Sequence, residues 1–337
     1  MARKLSLSVV AVVIALTVTC ATSAATSLGT KNSLARWERV SAGTHPRDLD
    51  SAASAYDPDT RQLVVFGGET EAGVALSATW LWSGSTWSEA TSGTHPPALA
   101  GAAMVYDPKV HAVVLFGGVG QYGTLSSETW LWKSSAWHLQ GSTKAPSPRS
   151  YPAMTYDTKS QTVDLFGGFV NSSAQTSAQL WAWSPTGWRQ LVQHGLPALA
   201  EASMVYDQVS GEMLIYGGVK ARGISTVGQT WVQKGASGSW RPTGAGGPGS
   251  RAGAGTAFDP TLGGVVAFGG WESGPGRPTG TWLWAHSHWS KIATSTTPPA
   301  RSAAVMAFDD NENTIVLVGG ASANLSPMSD QWKLVTE

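Results

Sequence analysis

The sequence predicts an all-β fold, a six-bladed β-propeller built of four-stranded antiparallel blades. Three observations support this prediction. An aromatic–Asp pair and a Gly-Gly pair each recur six times at a spacing of 50 or 52 residues. Each repeat holds short apolar stretches separated by turn-forming residues, as strands do. No stretch places apolar residues at the spacing of an amphipathic helix, so the sequence predicts almost no helix.

Each repeat carries four marks in one order. The first is an aromatic residue followed by Asp, and the second is a Gly-Gly pair. The third is a Trp that lies 12 or 13 residues after the second Gly, and the fourth is a further Trp, which the last repeat lacks. The aromatic residues of the six aromatic–Asp pairs are Tyr56, Tyr106, Tyr156, Tyr206, Phe258 and Phe308.

These marks divide each repeat into four short strands. In the second repeat the strands are expected at 100–106, 113–116, 130–132 and 136–139. The Asp of each aromatic–Asp pair is interpreted as a turn residue, because its carboxylate can accept a backbone N–H two residues on. The Gly-Gly pairs are expected where the backbone needs a positive φ or a close neighbour. Sixteen of the 17 Trp residues fall on repeat positions, which predicts that they pack between strands.

The pattern also predicts how the ring closes. The chain ends at Glu337, five residues after Trp332, so the last repeat has no room for its fourth strand. A spare Trp, Trp37, lies 50 residues before Trp87. We therefore expect Trp37–Val40 to form the outermost strand of the last blade, which removes an open sheet edge.

The first 25 residues have the composition of a secretory signal peptide. Arg3 and Lys4 precede an apolar run over 9–16, and small residues follow. The run is shorter than the roughly 20 residues of a membrane span. The predicted organisation is a signal peptide at 1–25, a short linker at 26–35 and the propeller at 36–337, in a secreted or extracytoplasmic protein. A lipid anchor on Cys20 is a rival interpretation, disfavoured because 16–19 match a lipoprotein cleavage box poorly.

Composition excludes several classes of function. The 22 basic residues balance 22 acidic ones, which argues against nucleic-acid binding. Cys20 is the sole cysteine, so the mature chain is expected to hold no disulfide and no thiolate metal site. His45, His95 and His194 lie in different repeats and are not expected to converge on a metal. The sequence therefore predicts neither a metal nor a cofactor.

Residues that depart from the repeat indicate where a ligand binds. The long loops between second and third strands share one face with the loops between blades, and variable loops on a rigid scaffold often carry function. Trp271 directly follows a Gly-Gly pair, and beside Glu272 and Arg277 it suits stacking on a sugar or capture of an acidic peptide. The predicted ligand-binding residues are Trp271, Glu272, Arg277, Arg149, Tyr151, Arg251, Arg301, Tyr122, Phe169 and Arg222.

At this period the Gly-Gly, Trp and aromatic marks resemble the kelch repeat, from Trp37 to the C-terminus. The resemblance implies four-stranded propeller blades and a ligand at the long-loop face or the mouth of the central channel. One mark departs from the family: the basic residue seven positions before the aromatic–Asp pair is present only as Arg149, Arg251 and Arg301. An alternative to ligand binding pairs these three residues with neighbouring carboxylates or loop carbonyls.

We interpret the chain as an exported, monomeric, non-catalytic propeller that binds a protein or a glycan. The alternative is a carbohydrate-active enzyme, because the resemblance extends to copper-radical sugar oxidases and a sialic-acid isomerase. The oxidase cofactor needs a Tyr–Cys thioether, which a mature chain without cysteine cannot form. An isomerase needs a general acid–base pair, for which Glu201 and Asp48 are the candidates. No sialidase box, nucleophile elbow or zinc motif is present.

Overall fold

A computed structural model describes residues 35–336 of the chain, apart from 42, 44, 48, 92, 143, 222–224, 234–237, 245 and 275–276. Over these residues the secondary structure is 24 β-strands and one short 3-10 turn, Gln121–Gly123. The strands are β1 Arg36–Val40, β2 Ala53–Asp57, β3 Gln62–Phe66, β4 Thr79–Trp82, β5 Trp87–Ala90, β6 Ala103–Asp107, β7 Ala112–Phe116, β8 Thr129–Lys133, β9 Ala136–Gln140, β10 Ala153–Asp157, β11 Thr162–Phe166, β12 Leu180–Ser184, β13 Gly187–Leu191, β14 Ser203–Asp207, β15 Glu212–Tyr216, β16 Thr230–Gln233, β17 Trp240–Pro242, β18 Gly255–Asp259, β19 Gly264–Phe268, β20 Thr281–Ala285, β21 His288–Ile292, β22 Val305–Asp309, β23 Thr314–Val318 and β24 Gln331–Val335.

The strands form six four-stranded antiparallel sheets, which we number as blades in chain order. Blade one is β2-β3-β4-β5, blade two β6-β7-β8-β9, blade three β10-β11-β12-β13, blade four β14-β15-β16-β17, blade five β18-β19-β20-β21 and blade six β22-β23-β24-β1. The innermost strand of each blade contacts those of both neighbours, including β22 against β2. The predicted six-bladed all-β propeller is thus confirmed. The described residues include no helix of the length and hydrophobicity that a membrane crossing requires.

The predicted closure of the ring is also confirmed. Strand β1 pairs with β24 along its whole length, and Trp37 lies opposite Leu334. The indole of Trp37 is buried, 5.4 Å from the ring of Phe268, and its Nε1 donates to Thr281 Oγ1 at 2.8 Å. The last blade therefore unites the two ends of the described chain.

The repeated marks have the predicted structural roles. In all six repeats the Asp of the aromatic–Asp pair accepts the backbone N–H two residues on, at 2.8 to 3.0 Å. Both glycines of every Gly-Gly pair have a positive φ. At Gly67 a Cβ atom would lie 2.2 Å from the carbonyl oxygen of Leu99 in the next inter-blade loop, so only Gly fits there. None of the sixteen Trp residues on repeat positions is exposed.

The outermost Trp of each blade reaches into the preceding blade. Trp188 in blade three donates from Nε1 to Thr129 Oγ1 in blade two at 2.8 Å, and four other blades repeat this contact. Blade four lacks it, because Leu180 occupies the acceptor position and Trp240 Nε1 is buried without a partner. These hydrogen bonds tie neighbouring blades together.

Replacing the acceptor tests this tie. Thr129→Val keeps the shape of the side chain but leaves Trp188 Nε1 buried without an acceptor. We expect the free energy of unfolding in urea to fall by about 1–3 kcal/mol. Thr60→Val, on an exposed turn, is the control and should change it by less than about 0.5 kcal/mol. Equal losses in the two variants would show that the indole hydrogen bond does not stabilise the ring.

Candidate functional site at the mouth of the channel

One residue from each blade forms a ring around the top of the central channel. Each ring residue lies two positions before an innermost strand, and all six have φ between 52° and 59°. From the second blade onward, each donates its backbone N–H to the carbonyl of the preceding ring residue, at 2.6 to 3.0 Å. The ring residues are Ser51, Gly101, Tyr151, Glu201, Gly253 and Ala303.

The left-handed backbone of the ring makes Tyr151 and Glu201 unusual among its members. A left-handed backbone costs a residue with a Cβ atom roughly 1–2 kcal/mol, which Gly101 and Gly253 avoid. Tyr151 and Glu201 nevertheless place large polar side chains there. Strained positions of this kind cluster at functional sites, so an observed outlier is a reason to look for function nearby.

A cavity of about 490 Å³ lies at this ring, and we call it the mouth cavity. Its volume falls in the ~300–1,000 Å³ range of small-molecule sites. Asp50 and Ser51 come from the segment that enters blade one, while Tyr151 and Glu201 come from the entries to blades three and four. Blades five and six complete the lining. Their polar contributions are Trp271, Glu272, Arg277 and Ser302.

Trp271 and Glu201 join blades five and four across the cavity. The indole Nε1 of Trp271 donates to Glu201 Oε2 at 2.6 Å. The backbone of Trp271 exchanges two hydrogen bonds of 2.9 Å with Ala252, which fixes the start of the β19–β20 loop. The side chain of Trp271 is half-buried. The rigid backbone and the hydrogen bond hold both side chains in place.

A relay of hydroxyl groups links blade three to blade one. Tyr151 donates from its hydroxyl to Ser51 Oγ at 3.1 Å, and Ser51 donates to Asp50 Oδ1 at 3.1 Å. Phe169 packs edge-on against the Tyr151 ring, with the ring centroids 6.1 Å apart. Burial raises the pKa of Tyr151, and the charge of Glu69 raises it further, so the hydroxyl stays protonated at neutral pH.

Three carboxyl groups at or beside the cavity have a raised pKa and so hold their protons more tightly than usual. Burial is the main cause of the raised pKa of Asp50, Glu69 and Glu201, and the charge of Asp50 adds to it for Glu69 and Glu201. Arg277 opposes the rise at Asp50 and Glu201, and it donates to Ser302 Oγ at 2.6 Å. The arrangement offers hydroxyl and carboxylate acceptors beside one guanidinium donor.

The structure places the ten predicted binding residues in different environments. Trp271, Glu272, Arg277 and Tyr151 line the mouth cavity, and Phe169 supports Tyr151. Tyr122, on the β7–β8 loop, is 96% exposed and does not line the cavity. Arg222 lies outside the described residues, as does Asp48, the proposed partner of Glu201.

Three of the predicted residues have structural partners. Arg149, Arg251 and Arg301 are at most 4% exposed. The Nη1 group of each donates at 2.9 Å to the carbonyl of the first glycine in its Gly-Gly pair, and Arg301 also pairs with Asp330 at 2.7 Å. The guanidinium group therefore supplies a hydrogen-bond donor to the carbonyl group at the Gly-Gly turn. We therefore remove these three residues from the candidate site and adopt the alternative pairing with loop carbonyls.

Sequence reasoning missed several residues that lie in or beside the site. Asp50 stands where the other repeats have Ala or Ser, and Glu69 directly follows a Gly-Gly pair as Trp271 does. The comparison that singled out Trp271 would therefore have found Glu69 as well. Ser51 and Ser302 carry no such signal, because Ser occurs in five of the six inter-blade loops. Within the described residues, no group of three or more His, Cys, Asp or Glu side chains is placed to hold a metal ion.

Comparison with known proteins supports the fold. No protein-family model matches the chain, and no curated protein does. The solved structure described as "Structure of YjhT" is similar, with a TM-score of 0.68 over 87% of this chain and 98% of that chain. The two sequences are 14% identical. At this identity the similarity shows a shared propeller fold and nothing further.

Proposed function

We propose that the protein is an exported kelch-type propeller that binds a carbohydrate, without catalysis, in the mouth cavity. One observation carries the proposal: Trp271 and Glu201 meet across two blades in a cavity of small-molecule size. The kelch assignment rests on the repeat marks. Export rests on the composition of residues 1–25 as a signal peptide.

The chemistry of the lining favours a sugar over a protein surface. Sugars present C–H faces that pack on aromatic rings and hydroxyl groups that bond to carboxylates, and the cavity offers Trp271 and Tyr151 for the first role and Asp50 and Glu201 for the second. A protein partner usually buries about 800 Å² of each surface in a broad contact. A concave polar site fits a small ligand better.

The charge of the cavity narrows the class of sugar. Its described lining carries the carboxyl groups of Asp50, Glu201 and Glu272 against the single guanidinium of Arg277. Like charges brought together in a partly buried site repel strongly. We therefore expect neutral sugars and amino sugars to bind more tightly than uronic or sialic acids.

A second candidate is an enzyme acting on carbohydrates at the same site. The observation that favours it is the raised pKa of Glu201. Burial is the main cause, the hydrogen bond from Trp271 and the charge of Arg277 lower the pKa, and the charge of Asp50 raises it. A carboxyl with a raised pKa can serve as a general acid–base group near neutral pH. In that case the partner carboxyl is that of Asp50 or Glu272, which line the cavity together with Glu201.

A glycan array followed by calorimetry tests the proposal. Trp271→Ala should weaken binding of the best sugar by about fivefold or more, because an aromatic contact contributes ~1 kcal/mol or more. Tyr122→Ala, an aromatic residue outside the cavity, is the matched control and should bind like the unmodified protein. Binding that survives Trp271→Ala, or no binding at all, contradicts the proposal. Conversion of the bound sugar, followed by NMR, would instead establish the enzyme.

A further inference from the structure

We infer that Tyr151 closes the channel beneath the mouth cavity, so that the site is a blind pocket that accepts a free sugar or the end of a glycan chain. The inference rests on the proposed function and deepens it. It concerns which part of a carbohydrate the site recognises. It depends on three observations: the direction of the Tyr151 side chain, the second cavity next to it, and the contacts that hold its ring in place.

The side chain of Tyr151 crosses from blade three to blade one. Its ring lies over Gly101 of blade two, where a Cβ atom would be 2.7 to 2.8 Å from three ring carbons. Its hydroxyl reaches Ser51 Oγ at 3.1 Å. The Tyr151 side chain therefore extends over three consecutive members of the circle of six residues around the channel: Tyr151 itself, Gly101 and Ser51. Gly101 is the member whose lack of a side chain makes this path possible.

A second cavity lies next to the mouth cavity. It measures about 140 Å³ and is lined by residues from all six blades, so it lies on the channel axis. Four residues line both cavities and thus lie between them: Ser51, Tyr151, Glu201 and Ala303. Tyr151 is the largest of the four. We conclude that its ring forms the floor of the mouth cavity and separates it from the channel below.

The floor is held on several sides. Tyr151 donates its backbone N–H to the Gly101 carbonyl at 2.6 Å, and its own carbonyl accepts from Glu201 at 3.0 Å. Phe169 packs on the edge of the ring at a centroid distance of 6.1 Å. A tyrosine fixed at the backbone, the ring and the hydroxyl is expected to keep one position when a ligand binds.

A closed floor restricts how a glycan enters. A polymer cannot pass through the channel, and an internal segment would have to cross the mouth without contacting the floor. A free sugar or a chain end can descend onto Tyr151 and place its hydroxyl groups beside Asp50 and Glu201. Recognition of terminal sugars follows from this geometry.

The test measures affinity by calorimetry with defined probes. These are linear oligomers of glucose and of N-acetylglucosamine of increasing length, with the cyclic glucose hexamer as a probe that has no chain end. For the unmodified protein we expect affinity to stop rising after the disaccharide. We also expect the cyclic hexamer to bind about tenfold more weakly than the linear one, a difference of ~1.4 kcal/mol.

Two substitutions separate the floor from the hydroxyl relay. Tyr151→Ser opens the floor, and Ser51 shows that the ring tolerates serine in this backbone conformation. In this variant affinity should continue to rise with chain length, because the chain end gains access to the second cavity. Tyr151→Phe keeps the floor, loses only the hydrogen bond to Ser51 and should retain the length limit. Thermal melting checks that both variants fold.

Gly101→Ala provides an independent variant. Its Cβ would displace the Tyr151 ring, so short sugars should bind about tenfold or more weakly. Equal affinity of the unmodified protein for linear and cyclic hexamers would overturn the floor assignment and leave carbohydrate binding intact. A length limit unchanged in Tyr151→Ser would do the same. If no glycan binds in the array or in solution, the proposed function and this inference both fail.

Discussion

Deleting residues 36–41 should lower the free energy of unfolding of the whole propeller by more than about 3–5 kcal/mol, the usual cost of Trp→Ala in a core. The deletion removes the buried Trp37 together with every backbone pair between β1 and β24. It also leaves β24 as an open edge, which promotes aggregation. Because each blade packs on both neighbours, loss at one blade weakens the closed ring rather than one sheet.

Two comparisons make this prediction specific. Deleting residues 26–33, which precede the strand, should leave the urea unfolding curve unchanged. Trp37→Ala alone should account for about 3–5 kcal/mol, similar to Trp188→Ala in a blade whose strands are consecutive in the chain. Equal stability of the two truncated proteins would mean that the N-terminal strand does not close the ring.

Replacing Asp164 should have the opposite effect and stabilise the protein. Asp164 lies in β11 and is 3% exposed, at a position where the other blades carry Val64, Val114, Leu214, Val266 and Val316. Burial raises its pKa to about 7, although the Thr162 hydroxyl donates to its carboxylate at 2.8 Å. At pH 7.5 the folded protein therefore carries a buried carboxylate, and Asp164→Val should raise the free energy of unfolding by about 1–4 kcal/mol.

The stability gained by Asp164→Val should depend on pH. The pKa of Asp164 is about 7 in the folded protein and near the ordinary value of 3.8 in the unfolded chain. Between these values the folded state binds more protons than the unfolded state, so stability falls as pH rises, by at most about 1.4 kcal/mol per unit. The advantage of Asp164→Val over the unmodified protein should therefore grow from pH 4 to pH 7.5 and then level off. Urea unfolding at several pH values measures it, and an advantage independent of pH would refute the buried titration.

The fold could be predicted from the sequence because each blade repeats the same local chemistry. The aromatic–Asp turn, the Gly-Gly pair and the buried Trp residues each report a requirement of backbone or packing that recurs in every blade. The position of Trp37 relative to Trp87 was enough to predict how the ends meet. Periodicity thus carried information on long-range pairing.

The site was only partly predictable, for a physical reason. Departures from the repeat pointed to Trp271, Tyr151 and Arg277, which do line one cavity. The hydrogen-bonded ring that brings Asp50 and Glu201 beside them depends on the closed geometry of six blades, which no local pattern displays. The prediction also took three arginines as binding residues, although their guanidinium groups satisfy carbonyls within the fold.

The most direct test of the central claim is a crystal structure of the protein with the best sugar from the array. The account predicts the sugar in the mouth cavity, packed against Trp271, hydrogen-bonded to Glu201 or Asp50, and resting on Tyr151. A sugar bound on the opposite face of the propeller, with the mouth cavity empty, would contradict it.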